Sequence, residues 1–149
     1  MGWSRSEKTI EGVECLHGTD GLDAVLRQSD YLIGILPSTK DTYHLLDAFR
    51  LRLLKRNCIV INVGRGDLID ETALLTALDQ NQLNGAILDV FEQEPLPSDS
   101  PFWTHPKVTV TPHVSGWSLD NAFEDIANNY NRLLSGDNLL HEVDRGLGY

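Results

Sequence analysis

An α/β fold, a mostly parallel sheet covered by helices, is what this sequence predicts, and three observations predict it. Short runs rich in β-branched residues alternate with amphipathic stretches from one end of the chain to the other. The runs in the middle are apolar throughout, without polar alternation, as strands covered on both faces are. Residues able to do chemistry fall just past those runs, where open α/β sheets bind their ligands.

Taken in order, strands are expected at 2–4, 13–16, 31–36, 58–63, 86–90 and 108–111. Helices are expected between them. Leu22, Val25 and Leu26 follow Thr19 at helical spacing; Leu46, Phe49, Leu53 and Leu54 form a second set; Leu74, Leu75 and Leu78 follow Asp70, a plausible N-cap. The clearest helix carries Phe123, Ile126, Ala127, Tyr130, Leu133 and Leu134 between a Ser118 cap and a Gly136 stop, which predicts a helix over 118–135. Pro95, Pro97, Ser98, Asp99, Ser100 and Pro101 make the only Pro/Ser-rich loop, and the chain shows neither internal repeats nor low complexity.

With 149 residues the chain fits one domain, and a domain of that size buries about 68–70% of its unfolded surface. Apolar residues make up 41% and charged residues 23%, which is ordinary for a globular protein. No run approaches the ~18 apolar residues of a membrane span. Twelve basic residues stand against 22 acidic ones, for a net charge of −10, so the overall field repels nucleic acid and anionic membranes. An anionic ligand would need a local cation, and Arg5 and Arg65 qualify. The opening MGWSRSEKTIEGVE has no apolar stretch behind its basic residues and is expected to be neither a signal nor a transit peptide. Cys15 and Cys58 stand far apart in apolar runs, without CxxC or clustered histidines, which predicts buried free thiols, no metal site and a cytoplasmic location.

Four places at strand ends carry chemistry. Ser4-Arg5-Ser6 stands where a dinucleotide-binding sheet usually has an acid for the ribose hydroxyls; a guanidinium between two hydroxyls suits a 2′-phosphate instead. Arg65, bracketed by Gly64 and Gly66 after the run Cys58 to Val63, projects a permanent cation where bare backbone lets a ligand come close. Asp89 and Glu94 follow another apolar run, and His113 follows the last. Each has a plainer reading: a solvated turn, an incidental surface arginine, loop-capping acids, a structural histidine. Together they are more specific. A keto-acid reductase needs a cation for the carboxylate, a proton donor for the new hydroxyl and an acid that keeps the donor protonated; Arg65, His113 and Glu94 meet those needs.

These stretches, WSRS, the LPST loop at 36–39, INVGRGDLIDE, GAILDVFEQEPLP, TPHVSG and VDRGLGY, resemble the D-isomer-specific 2-hydroxyacid dehydrogenases, in the glyoxylate/hydroxypyruvate reductase A branch. The resemblance covers nearly the whole chain, with several motifs in order. It implies a Rossmann-like parallel sheet with flanking helices. It implies that Arg65 holds the substrate carboxylate and carbonyl, that Glu94 pairs with His113, and that His113 is the acid/base. Asp89 would hold the nicotinamide carboxamide, and Ser4 and Arg5, with Ser6, would select NADPH over NADH. Leu36, Pro37, Val63 and Gly64 would line the cofactor through backbone and apolar contact, with Gly116 beside them. The implied reaction moves hydride from NADPH to the C2 carbonyl of glyoxylate or hydroxypyruvate, and His113 protonates the alkoxide. A homodimer is expected.

The chain also departs from that pattern. Members of the family run to roughly twice its length, with a substrate domain built largely from the N-terminal portion. The βα unit bearing the glycine-rich phosphate loop, which would precede Trp3, is not in the sequence. Residues 1–117 then read as an incomplete NAD(P)-binding domain, and 118–149 as a helix and tail returning to the substrate domain. In the strand order 3-2-1-4-5-6 the missing strand lies between those at 2–4 and 31–36, which predicts two unpaired edges. The half-sheets could close up, a second copy could fill the gap by swapping or dimerising, or the first elements could pack loosely. The chain alone is expected to bind cofactor weakly and to turn over little or not at all.

A different class remains open: a nucleotide-sensing or self-associating binding module that keeps these residues without turnover. A short-chain dehydrogenase is disfavoured, since neither Tyr43 nor Tyr130 is followed by the lysine of a Tyr-x-x-x-Lys pair. Trp117 either shapes the nicotinamide pocket or packs in the core, and the sequence does not choose the keto acid.

Overall fold

The structure, a computed structural model, describes residues 1–116 and 121–146. In chain order these form β1 (Gly2–Ser4), β2 (Cys15–His17), α1 (Gly18–Gln28), β3 (Tyr31–Gly34), α2 (Ala48–Leu51), β4 (Ile59–Asn62), α3 (Glu71–Asp79), β5 (Gly85–Leu88), β6 (Val108–Val110) and α4 (Ala122–Ser135). Short 3₁₀ turns stand at Gly66–Leu68 and Pro101–Trp103. Two compact units result, Met1–His113 and Val114–Tyr149. Among the described residues no helix is long and apolar enough to cross a membrane.

In the first unit, β1 pairs with β2 in parallel, Gly2 opposite Cys15. The other four strands form a second parallel sheet in the order β3-β4-β5-β6, with Ile59 opposite both Tyr31 and Gly85, and Ala86 opposite Val108. The two sheets share no ladder, so the half-sheets do not close onto each other. Between them lies a hollow lined by Trp3, Leu22, Val25, Tyr31, Ile33 and Leu36, among others. Because all four larger-sheet strands run the same way, their carboxyl ends gather on one side. That is where the chemistry-bearing residues stand.

One core serves both sheets. Leu22 and Leu26 from α1 join Leu51, Leu54, Cys58, Val60, Leu74, Leu78, Leu83 and Phe102, and burying a leucine or phenylalanine fully is worth about 1.5–3 kcal/mol. Burial pushes the Cys58 thiol up, which makes it inert. Asp70 caps α3 as expected, its carboxylate accepting from the Ala73 amide at 2.9 Å.

Several expectations need correction. Strand β3 is not covered on both faces: Tyr31 is 66% and Ile33 59% exposed, because this strand is the edge of its sheet and one face has nothing packed on it. Strand β1 spans its expected residues and β2 is shifted to Cys15–His17, while β3, β4, β5 and β6 stop one or two residues before their apolar runs end, those last residues turning out into loops. Helix α1 begins at Gly18, after His17, so Thr19 lies inside its first turn. Helix α2 is a single turn; Leu53 and Leu54 follow it in tight turns whose amides return to Arg50 and Leu51, and Phe49 faces outward. Cys15 is half-buried. Helix α4 is described from Ala122, and its proposed cap Ser118 lies outside the described residues. Gly136 ends it in the left-handed conformation, φ 74°. The apolar residues of α4 stand exposed, Phe123 at 81%, in keeping with a helix expected to lose part of its partner surface here.

Candidate active site

The turn after β4 is built from a polar residue in an otherwise apolar strand. Asn62 is buried, and its side chain folds the following turn around itself: Nδ2 donates to the Arg65 carbonyl at 2.9 Å, and Oδ1 accepts from the Gly64 amide at 3.2 Å. Both glycines beside Arg65 are needed for packing. A Cβ on Gly64 would stand 2.9 Å from the Leu36 carbonyl oxygen and 3.0 Å from Ile35 backbone; one on Gly66 would stand 1.9 Å from the Phe91 carbonyl carbon. The space the glycines leave is thus taken by the protein's own backbone from the loops after β3 and β5. Squeezed between them, the turn holds out the exposed Arg65, whose Nη1 donates to the Gly64 carbonyl at 2.7 Å.

After β5, Asp89 is 2% exposed. Its amide donates to the Asn62 carbonyl at 3.0 Å and its carboxylate accepts from the Thr111 hydroxyl. A buried carboxylate is costly unless hydrogen-bonded, so its position is fixed. Glu94 stands five residues on. Its Oε1 accepts from the Phe91 amide at 2.9 Å, and its Oε2 lies 2.8 Å from Nδ1 of His113. Burial pushes the Glu94 carboxyl up, but the Phe91 amide, the His113 ring and the Arg65 guanidinium outweigh it and hold it below the ordinary carboxylate range.

His113 follows β6 with φ 54°, in the left-handed region that non-glycine residues rarely occupy. Such conformations persist where surroundings over-determine them. With Nδ1 engaged by Glu94, Nε2 is the nitrogen able to pass a proton. Asp89, Phe91, Glu94, Leu96, Trp103, Thr111 and His113 line a cavity of 450 Å³, a usual size for a small-molecule site. Trp103 is fixed at its wall by a 2.8 Å bond from Nε1 to the Pro97 carbonyl. A proton-passing site with an apolar wall is what these groups can make.

The expected residues therefore divide. Glu94, His113 and Asp89 share the cavity, while Arg65 is absent from its lining and acts on Glu94 through charge. Ser4, Arg5 and Ser6 stand at the end of β1: the Ser4 hydroxyl donates to the Ser6 carbonyl at 2.7 Å, and Arg5 faces Asp41 at 3.7 Å. Leu36 and Pro37 follow β3 and are half-buried; Val63 and Gly64 follow β4. Gly116 belongs to the second unit, where it is exposed. Trp117 lies outside the described residues. Asn62 and Thr111 also belong to the site, and the asparagine closing the run Ile59-Val60-Ile61 is a visible signal of it. His44, Glu71 and Glu92 meet beside it without any local pattern that brings them together.

The model of the D-isomer-specific 2-hydroxyacid dehydrogenase NAD-binding domain matches residues 1–115. The chain belongs to the D-isomer-specific 2-hydroxyacid dehydrogenase family. It is 42% identical over 148 residues to a glyoxylate/hydroxypyruvate reductase A of Escherichia fergusonii, a match that covers 99% of this chain and 47% of that protein. Among solved structures, a family member from Xanthobacter autotrophicus Py2 in complex with NADPH and MES is 42% identical with a TM-score of 0.93, covering 99% of this chain and 62% of that one. An NADPH-dependent glyoxylate/hydroxypyruvate reductase of Sinorhizobium meliloti, in complex with NADP and sulfate, is 44% identical with a TM-score of 0.91, covering 99% of this chain and 48% of that one. This 2-hydroxyacid dehydrogenase chain thus spans about half the length of the curated relatives it matches.

Proposed function

We propose that this chain is the catalytic and cofactor-binding half of a reductase that converts a small 2-keto acid, glyoxylate or hydroxypyruvate, to its 2-hydroxy acid with NADPH. The observation that carries the reading is the His113–Glu94 pair, 2.8 Å apart on a cavity that also holds the buried Asp89. The residues present fit the cofactor. Arg5 stands between two hydroxyls, and no acid occupies positions 4–6 to prefer the free ribose of NADH. Asp89, lining the cavity beside His113, is suited to accept from a carboxamide.

Bound NADPH supplies the hydride. Arg65 holds the substrate carboxylate and polarises the carbonyl, a role for which a forked cation is better than a point charge. Glu94 holds the His113 ring by its contact with Nδ1 at 2.8 Å, which leaves Nε2 to face the substrate. Nε2 then gives its proton to the alkoxide oxygen. Phe91, Leu96 and Trp103 give the pocket an apolar wall, which favours each of these charge interactions.

In this reading residues 1–117 work as the cofactor domain and 118–149 return toward a substrate domain, and the protein acts in the cytoplasm as a homodimer. The 149 residues carry no G-x-G-x-x-G loop, so by themselves they are expected to bind NADPH weakly and turn over little. The test is NADPH oxidation by the intact protein with glyoxylate and with hydroxypyruvate. Consumption with either supports the reading; tight NADPH binding without consumption of either overturns it in favour of a nucleotide-sensing module.

A further inference from the structure

His44 lies outside every motif named above, yet it touches two of the three loops that build the site. Its backbone amide donates to the Asp67 carbonyl at 2.7 Å, two residues past Arg65, and Leu46 continues the contact with a 3.0 Å bond to the Leu68 carbonyl. Its ring reaches the other way, Nε2 standing 3.1 Å from Oε1 of Glu92, two residues before Glu94. That same oxygen accepts from the Glu71 amide at 3.3 Å, while the Glu92 amide donates to the Glu71 carboxylate at 2.8 Å. Glu71 opens α3, directly after the Arg65 turn. The turn bearing Arg65 and the loop bearing Glu94 are therefore joined twice, by backbone contact at Gly66 and Phe91 and by this ring of side chains.

The backbone of His44 supports a specific role. Its φ is 47°, in the left-handed region, where a histidine is unfavourable and a glycine would cost nothing. The ring is stacked on Tyr43 with centroids 4.0 Å apart, which fixes its direction toward Glu92. A side chain kept in a conformation that disfavours it, aimed at a carboxylate shared with a helix start, is constrained for geometry.

We propose that His44 is a positioning residue, clasping the Arg65 turn to the Glu94 loop and so setting the separation of the guanidinium from the His113–Glu94 pair. The proposal rests on the reading of Arg65 as the group that holds the keto acid's carboxylate. It makes His44 act through Arg65, without touching substrate or cofactor.

The experiment compares His44→Gly and His44→Gln with the parent in the intact protein. His44→Gly removes the ring while suiting the backbone; His44→Gln keeps a nitrogen donor at similar reach. Displacement of a reacting group by about 1 Å can cost up to about a hundredfold, so His44→Gly is expected to raise KM for the keto acid about ten- to hundredfold, with the NADPH Kd unchanged, and His44→Gln to restore most of it. Hydrogen exchange at the Leu68 and Ile69 amides, which close the Arg65 turn by bonds to Arg65 and Gly66 carbonyls, should quicken in His44→Gly alone. A His44→Gly variant with normal KM and normal exchange at those amides overturns the proposal, as does one whose only defect is a lower Tm. If the parent reduces neither acid while exchange still quickens in His44→Gly, the clasp stands and the reductase reading fails.

Discussion

The two ends of the proposed cofactor site are built to different tolerances. At the His113 end, three strand-end loops interlock through the buried side chains of Asn62 and Asp89 and through a glycine with no room for a methyl group. At the Arg5 end, an exposed guanidinium meets Asp41 across 3.7 Å, and a serine hydroxyl turns back on its own loop. The difference follows from what each end is asked to do. Proton and hydride transfer fail when atoms are misplaced by about 1 Å, whereas an exposed arginine on a long side chain can turn its fork to meet a phosphate. Changes at the first end should therefore damage rate or folding, and changes at the second should shift cofactor preference alone.

The sharpest contrast is expected from His113→Ala in the intact protein. Loss of a positioned general acid lowers turnover by about 10²–10⁴. NADPH binding should survive, so steady-state turnover measured beside cofactor affinity checks the assignment; turnover within a factor of two of the parent refutes it. Next in size is Gly66→Ala, which tests the packing of the Arg65 turn. Its new methyl carbon would sit 1.9 Å from the Phe91 carbonyl carbon, and the obstacle is backbone that cannot rotate away. Overpacking ordinarily costs about 1–3 kcal/mol, so denaturant unfolding should show a loss at the top of that range, and a variant as stable as the parent would mean the two loops are not in contact.

Arg5→Ala probes the looser end. Hydrogen bonds to a charged group are worth about 1.5–3 kcal/mol, and exposure of this arginine reduces that, so Kd for NADPH should rise about tenfold. Kd for NADH should stay put. Equal weakening of both cofactors would show that Arg5 supports the fold rather than reads the 2′-phosphate.

How much of this was legible depends on the range of the interaction. Apolar runs ending in Arg65, Asp89 or His113 are local patterns, and a parallel sheet brings the ends of β4, β5 and β6 to one side whatever the loops do. The Glu94–His113 contact was readable because chemistry demands the pair. His44 was not readable, since its partners Asp67 and Glu92 are distant in the chain and are set by how three loops pack. Exposure was misread for the same reason. The residues of β3 are as apolar as a covered strand should be, but composition cannot say whether anything is packed on Tyr31 or Ile33.

The smallest expected effect lies in the clasp itself, at Glu71. Burial, with repulsion from Glu92, holds its carboxyl above the ordinary value, although the Glu92 amide and His44 draw it down and, as the first residue of α3, its charge is favoured by the helix N-terminus. For an acid, a raised folded-state pKa means that folding prefers the protonated form. The stability this contributes is complete below the unfolded pKa and is lost as pH rises through the folded one. Glu71→Gln keeps an oxygen for the Glu92 amide while removing the charge. Because Glu71 is only half-buried, the gain should stay within the 0.5 kcal/mol or so of a surface change, a Tm higher by about 1–2 °C at pH 7. The two melting curves should converge as pH falls toward 4.5, the ordinary value for the carboxyl. A gain that persists undiminished at low pH would place its origin outside the Glu71–Glu92 repulsion, and a lower Tm at pH 7 would mean that the helix dipole and His44 outweigh burial after all.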